Sequence, residues 1–279
     1  MALSFQVLVI PGLKILLFLL LWGLLWLPIA VVLGRRLQWH PRQGTLPFQK
    51  LPLVASLYCL APLVLWVMIH WEGRPLSDYG WQWQPPLASS LGLGWLLGLG
   101  SLALVFGLET IGGWIQWRGE GWGQWWRLLV PLALLSLWIG LTEEFIFRGL
   151  FLTQLSQNGS GLGSAVLISL LFALLHLFWE RPLTLPQLPG LWLMGMVLAM
   201  ARGVDDGGLG IAWGLHSAWV FGLASLDAAQ LLHYPSQEGN WLLGKGNQPL
   251  AGVAGLLCLG MTGVALWWLF PQAPWYPTF

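Results

Sequence analysis

Charge is what this sequence has least of. Its 12 Lys and Arg and 11 Asp and Glu make up 8% of 279 residues, where a soluble domain of that length carries about 25% charged residues, roughly 70 of them. A water-facing surface cannot be built from that inventory, so the chain is expected to be an integral, multi-pass membrane protein. The formal net charge of +1 provides no basic field and excludes nucleic acid as a partner. Cysteine is almost absent: Cys59 and Cys258 both fall in apolar stretches and read as small core residues, not as a disulfide framework or metal site. The sequence also lacks a Gly-x-Ser-x-Gly elbow, a His-Glu-x-x-His pair and a Gly-x-x-x-x-Gly-Lys-Ser/Thr loop, which removes support for a serine nucleophile, a zincin and a nucleotide site.

Apolar length is what the chain has in excess. At 57% hydrophobic it holds about 159 apolar residues, room for about eight helical spans of about 20 residues each. Continuous runs predict spans at about 13–34, 51–71, 88–112, 128–153, 161–179, 189–202, 209–232 and 250–270. None alternates apolar and polar residues in the manner of an outer-membrane barrel, and backbone in lipid must satisfy its own hydrogen bonds. The expected fold is therefore all-α, a polytopic transmembrane helical bundle of about eight spans. The sixth run is the weakest, being short and ending at Arg202, and is expected to be tilted or partly re-entrant. The first run ends at Arg35-Arg36 without a small-residue cleavage pattern and is expected to be a retained anchor.

Counting eight spans puts Arg35, Arg36, Arg42, Lys50, Arg118, Arg127, Arg181 and Lys245 on one side and Lys14, Arg74 and Arg202 on the other. The first side is then the cytoplasmic one. Tryptophan is abundant, 22 residues, and clusters near span ends (Trp81, Trp83, Trp122, Trp125, Trp126, Trp267, Trp268), where the ring suits the membrane interface. Glycines spaced along the third span, Gly92, Gly94, Gly98 and Gly100, suit close helix packing.

Ionisable residues inside apolar runs are the functional candidates: Glu109, Glu143, Glu144, Arg148, His176, His216 and Asp227. Three of them lie within Glu143-Glu144-Phe145-Ile146-Phe147-Arg148. Exposing all three to acyl chains would cost roughly 8 to 10 kcal/mol on the insertion scale, so they must face the bundle or water. Glu144 and Arg148 are four apart and share a helix face, whereas Glu143 points about 100° away. An ion pair is expected to keep Glu144 ionised, leaving Glu143, less neutralised and partly desolvated, as the proton acceptor. Phe172 and His176 lie one turn apart in the fifth span, and His216 lies in the seventh. A base, two imidazoles and a guanidinium are the groups that hydrolysis of a carbonyl needs. The same acids and imidazoles would equally serve a proton relay in a proton-coupled transporter. Glu109 and Asp227, near span ends, read as interfacial or helix-contact residues.

Glu143-Glu144-x-x-x-Arg148, then Phe172-x-x-x-His176, then His216 on successive helices resemble the motifs of the CPBP family, the CAAX proteases and bacteriocin-processing enzymes, also called type II CAAX prenyl endopeptidases or Abi-type membrane proteases. The resemblance spans about residues 128–225. It divides the chain into N-terminal transmembrane helices (1–127), a CPBP-like catalytic core (128–232) and a C-terminal loop and last helix (233–279). It departs at Val220, where Asn or Asp is usual after the third motif. The resemblance implies an intramembrane endopeptidase acting on a membrane-associated, CAAX-type peptide or protein. Glu143 would activate water with help from His176, His216 would contribute to an oxyanion site, and Glu144 and Arg148 would be supporting structure. It leaves open whether Glu143, His176 and His216 hold zinc or act without metal, and Val220 leaves open an inactive immunity or scaffold member. Membrane lipid and a peptide or protein at the bilayer are the expected partners, in a bacterial plasma membrane or a thylakoid-type membrane.

Overall fold

The computed structural model describes residues 2–39, 47–82, 85–157, 160–178, 181–235, 241–273 and 275–276. Arg42 and Trp83 lie outside the described residues, as does the side chain of Lys50. The apolar runs become helices α1 (Ala2–Arg36), α2 (Pro47–Glu72), α3 (Pro85–Ile111) and α4 (Trp122–Glu144). The fourth passage continues without a break through a π-helical segment, Phe145–Phe151, into α5 (Leu152–Ser156). Then follow α6 (Gly161–Leu175), the short α7 (Arg181–Thr184), α8 (Leu188–Val204), α9 (Gly210–Ala228) and α10 (Val253–Leu269). The chain is thus an all-helical, multi-pass membrane bundle whose eight passages follow the eight apolar runs.

Six helical stretches are long and apolar enough to cross a bilayer: Ile10–Arg36, Leu51–Glu72, Pro86–Ile111, Gly119–Ser156, Gly161–Phe178 and Arg181–Val204. The sixth run is therefore longer than its sequence pattern suggested, because α7 and the turn after it extend α8 backwards. Helix α9 falls short on composition because it is an interior helix. It carries His216, Ser217 and Ser225 buried, and packs against α3, α4 and α8.

The bundle inverts a soluble protein. Leu13, Leu24, Leu96, Trp126 and Trp268 are exposed, while Glu144 and Arg202 have no exposed surface and Arg148 has 1%. The most extensive helix pairing is α3 along α9, and small residues permit it. A Cβ on Gly94 would overlap the Ile211 carbonyl, and one on Gly214 the Leu91 carbonyl, whereas Gly92 and Gly100 meet nothing within 4 Å. Only half of the expected glycine stripe is therefore an interface. Asp205, in the turn after α8, caps α9: its Oδ2 accepts from Ile211 N at 3.1 Å and its Oδ1 from Ser90 Oγ at 2.5 Å. Burial pushes this carboxyl up, partly offset by those donors.

A two-residue antiparallel ribbon, β1 (Gln116–Trp117) with β2 (Leu232–His233), ties the α3–α4 connection to the one after α9. This marks one end of the bundle, where α3, α6 and α9 finish and α4, α8 and α10 begin. Of the tryptophans expected at interfaces, Trp126 and Trp268 are exposed at helix ends. Trp81 instead packs against Phe145 and Trp213.

Candidate active site

The change from α- to π-helix falls immediately after Glu144. A π-turn widens the ladder and turns carbonyls away from their usual partners, and a buried carbonyl must be satisfied. Arg202 does this. Its Nη1 donates to the Arg148 carbonyl, to Gly149 O at 3.5 Å and to Thr153 Oγ1 at 2.9 Å. Its Nη2 reaches Asp78 O at 3.2 Å, and its Nε reaches Gly207 O at 3.0 Å. The residue that made the sixth run look weak is thus a fully buried clamp on the helix carrying the two glutamates.

Arg148 and Glu144 form the ion pair their spacing predicts, Nη1 to Oε1 at 2.9 Å. Arg148 Nη2 donates to Gly195 O at 3.1 Å, and the guanidinium lies 4.7 Å from the centre of the Phe172 ring, a cation–π distance. His216 turns Nδ1 to the same Glu144 Oε1 at 2.7 Å and Nε2 to Glu143 Oε2 at 3.5 Å. A carboxylate oxygen only accepts, so Nδ1 is a protonated nitrogen. Glu143 receives a second partner from α2, where the Tyr58 hydroxyl donates to Oε1. Its Oε2, buried and without a hydrogen bond among the described residues, is the open position. His176 directs Nδ1 to the Phe172 carbonyl at 2.8 Å. That carbonyl too is an acceptor, so Nε2 is left for other work. The Phe172 ring sits 4.5 Å from His176 and 6.0 Å from His216, packed among both imidazoles and the guanidinium.

Two cavities meet here. A chamber of about 400 Å³ is lined by Tyr58, Glu109, His176, His216 and Val220 among apolar residues of α3, α8, α9 and α10. A smaller space of about 240 Å³ is lined by Trp22, Trp26, Tyr58, Glu143, Phe147 and His176. Tyr58 and His176 border both, with Glu143 facing one and His216 the other. The chamber shares Phe106, Gln187, Leu223, Gln248, Pro249 and Leu250 with a polar vestibule of about 880 Å³. The vestibule, which also holds Arg118, Asp227 and His233, lies at the ribbon end of the bundle.

The five candidate residues thus divide. Glu143, Glu144, Arg148 and His216 form one contiguous network, and His176 borders the same space without a direct bond to it. Glu143, His176 and His216 each keep one donor atom for zinc or water, Oε2 and the two Nε2 atoms, and their other atoms are held by Tyr58, the Phe172 carbonyl and Glu144 as the outer shell of a metal-binding His would be. Among the described residues no group of three His, Cys, Asp or Glu is drawn together closely enough to hold an ion. Ser217, the hydroxyl next to His216, faces Gly140 on α4 and borders neither cavity, so it cannot replace the usual Asn as a donor there. Val220 does line the chamber, one turn beyond His216.

Sequence reasoning passed over Tyr58, Arg202 and the buried Glu72. Glu72 meets Lys14 Nζ at 2.9 Å and accepts from Gln154 and Tyr79; burial and that carboxylate push the Tyr79 phenol well up. A signal for Tyr58 exists in retrospect: with 4 Tyr against 22 Trp, a phenol in the middle of a span is a hydrogen-bonding group needing a partner. Glu109 differs from its interfacial reading. It is 5% exposed and lines the chamber, while Asp227 is exposed at the vestibule.

Residues 124–222 match the family model described as Type II CAAX prenyl endopeptidase Rce1-like. No curated protein and no solved structure matches the chain.

Proposed function

From the membership of this chain, through residues 124–222, in the CPBP family of membrane endopeptidases, we propose that it hydrolyses a peptide bond in a membrane-associated, CAAX-type peptide or protein by water that Glu143 activates. The observation that carries this reading is the buried, unpartnered Glu143 Oε2 beside His216 Nε2, at the junction of two cavities. A buried carboxylate oxygen without a protein donor is a binding position for water.

In the proposed reaction the water on Glu143 Oε2 also contacts His176 Nε2, so both of its protons have acceptors. As its oxygen bonds to the scissile carbonyl carbon, Glu143 takes the proton and the carbonyl electron pair moves onto oxygen. In its protonated form, with Nδ1–H on Glu144, His216 presents Nε2–H to that oxyanion. When the intermediate collapses the C–N bond breaks, and the proton on Glu143 passes to the leaving amine. Tyr58 positions Glu143, while Arg148 and Glu144 hold His216. No step is routed through zinc.

The test is cleavage of a prenylated or transmembrane reporter peptide by the purified protein beside Glu143→Gln and His176→Ala. Loss of a positioned general base typically removes 10²- to 10⁴-fold in rate, so Glu143→Gln should be nearly inert. Equal cleavage by all three proteins sinks the proposal. Val220 supports a second reading, a family member retained as scaffold or immunity protein, in which wild-type protein cleaves nothing and Glu143→Gln still complements a deletion strain.

A further inference from the structure

Glu109 belongs to no part of the reaction described above. It is nine-tenths buried or more, at 5% exposure, lines the chamber that holds His176 and His216, and its carboxylate forms no hydrogen bond or ion pair with any described residue. The chamber's other α3 residues are Leu102, Val105 and Phe106, and its remaining lining is apolar apart from the neutral Thr184, Gln187, Gln248 and Cys258 and the Tyr58, His176 and His216 of the candidate site. The nearest guanidinium of the vestibule, Arg118, contacts His233 Nδ1 at 3.3 Å and does not line the chamber. A lone carboxylate in apolar walls is costly unless a partner neutralises it, and here the unfilled side is the space a bound peptide occupies.

Helix pairing fixes how far this carboxylate lies from the reacting groups. Helices α3 and α9 run parallel, with Gly94 against Ile211, Gly98 against Ala218, and Ser101 Oγ accepting from Trp219 Nε1 at 3.0 Å. Glu109 is eight residues beyond Ser101 and His216 three residues before Trp219, an axial offset of about 16 Å at 1.5 Å per residue. Extended chain covers about 3.3 Å per residue, so the offset corresponds to about five residues, fewer when a long side chain reaches back toward the carboxylate.

We infer that Glu109 is a specificity-determining residue, selecting substrates with a Lys or Arg side chain about three to five positions from the scissile bond. The inference rests on the peptidase reading for its substrate class, but not for its test. A cation is the chemistry favoured over a neutral donor because the ion pair removes the buried charge as well as filling the lone pairs. The flexible Lys and Arg stems match the apolar walls leading to it.

The experiment uses the full chain in detergent or nanodiscs and fluorescent reporter peptides carrying Lys, Arg, Met or Glu singly at each position up to five from the bond on either side. Wild-type protein is expected to favour Lys and Arg over Met by roughly 10- to 100-fold in kcat/KM at one position, the scale of a charge-assisted bond. Glu109→Gln should bring that ratio close to one, Glu109→Asp should retain part of it, and Glu109→Lys should shift preference to Glu. An unchanged ratio in Glu109→Gln overturns the inference, as does a wild-type profile with no preference for Lys or Arg. Should Glu109→Gln elute as aggregate, Glu109→Asp is read in its place: its ratio must fall below that of wild type. If wild-type protein cleaves none of the peptides, the peptidase reading fails separately. Fluorescence anisotropy with the same Lys and Met peptides then decides: tighter Lys binding that Glu109→Gln abolishes supports the site, and equal binding refutes it.

Discussion

Replacing Arg148 by Met keeps a long apolar side chain in place and removes one charge from the interior. Arg148 is 1% exposed and Glu144 is fully buried, so water cannot rescue the carboxylate left behind. Losing one member of a buried pair costs about 3 to 5 kcal/mol. The Gly195 carbonyl loses its donor at 3.1 Å as well, worth about 1 to 3 kcal/mol, and the contact with Phe172 at 4.7 Å contributes up to about 2 kcal/mol. These terms overlap, because a single relaxation of the π-helix serves all three. His216, at 2.7 Å from Glu144, retains one hydrogen bond to the carboxylate. The expected loss is therefore about 3 to 5 kcal/mol and not their sum.

The double variant Glu144→Gln with Arg148→Met separates charge from packing. It removes the stranded anion but not the missing Gly195 donor, so it should regain about 2 kcal/mol or more over Arg148→Met alone. Stability is read from reversible SDS unfolding of the purified protein, monitored by tryptophan fluorescence. Equal stability of the single and double variants would refute the argument that an uncompensated Glu144 is what Arg148 prevents. The double variant should also be the less active of the two, because only there does His216 lose the charged partner of its Nδ1.

Three further outcomes follow from the geometry. Tyr58→Phe deletes the hydroxyl donated to Glu143; a charge-assisted hydrogen bond is worth about 1.5 to 3 kcal/mol, so kcat should fall roughly 10- to 100-fold with KM little changed, and an unaltered kcat would remove Tyr58 from the site. Val220→Asn adds an amide where Val220 lines the chamber one turn from His216; since one oxyanion donor is worth about 10² to 10³ in turnover, kcat of the reporter reaction should rise by roughly tenfold or more, and a decrease would place the oxyanion elsewhere. Gly94→Val forces a side chain into the Ile211 carbonyl, while Gly92→Val meets open space; the first should lower the melting temperature and cost about 1 to 3 kcal/mol, the second should not, and equal effects would contradict the α3–α9 packing.

Local rules carried the sequence reading a long way. The paucity of charge and the length of the apolar runs suffice for a helical membrane bundle, because both follow from the solvent alone. The Glu144–Arg148 pair is likewise legible, four residues being one turn. What depends on tertiary placement is not. Tyr58 reaches Glu143 across 85 positions, Gly94 differs from Gly92 only in which face meets α9, and Arg202 looked like a flaw in a span because the carbonyls it satisfies belong to another helix. The π-helical segment has no propensity signature. Arg202 satisfies carbonyl groups of that segment, and Thr153 in turn accepts from Arg202. Glu109 is a related case: its sequence position near a span end does not reveal that it is buried and lines the chamber.

The two ends of the bundle are built for opposite purposes, and the difference bears on how a bilayer can hold such a cavity at all. At one end Lys14, Glu72, Tyr79 and Gln154 interlock, and Arg202 ties Asp78, Gly207, Thr153 and the π-helix together. Each bond there spans different helices or connections, so opening that end would strand several buried charges at once, a barrier of many kcal/mol. At the other end the ribbon and the Gln248–Leu250 turn border a polar vestibule. The chamber that holds His176 and His216 is thus continuous with the vestibule, on the side carrying Arg118, Arg181 and Lys245, while Glu143 lines the neighbouring space among α1, α2 and α6. Water admitted at that end meets His176 and His216 in the chamber before it meets the interlocked far end, so the proposed hydrolysis requires no continuous aqueous path across the membrane.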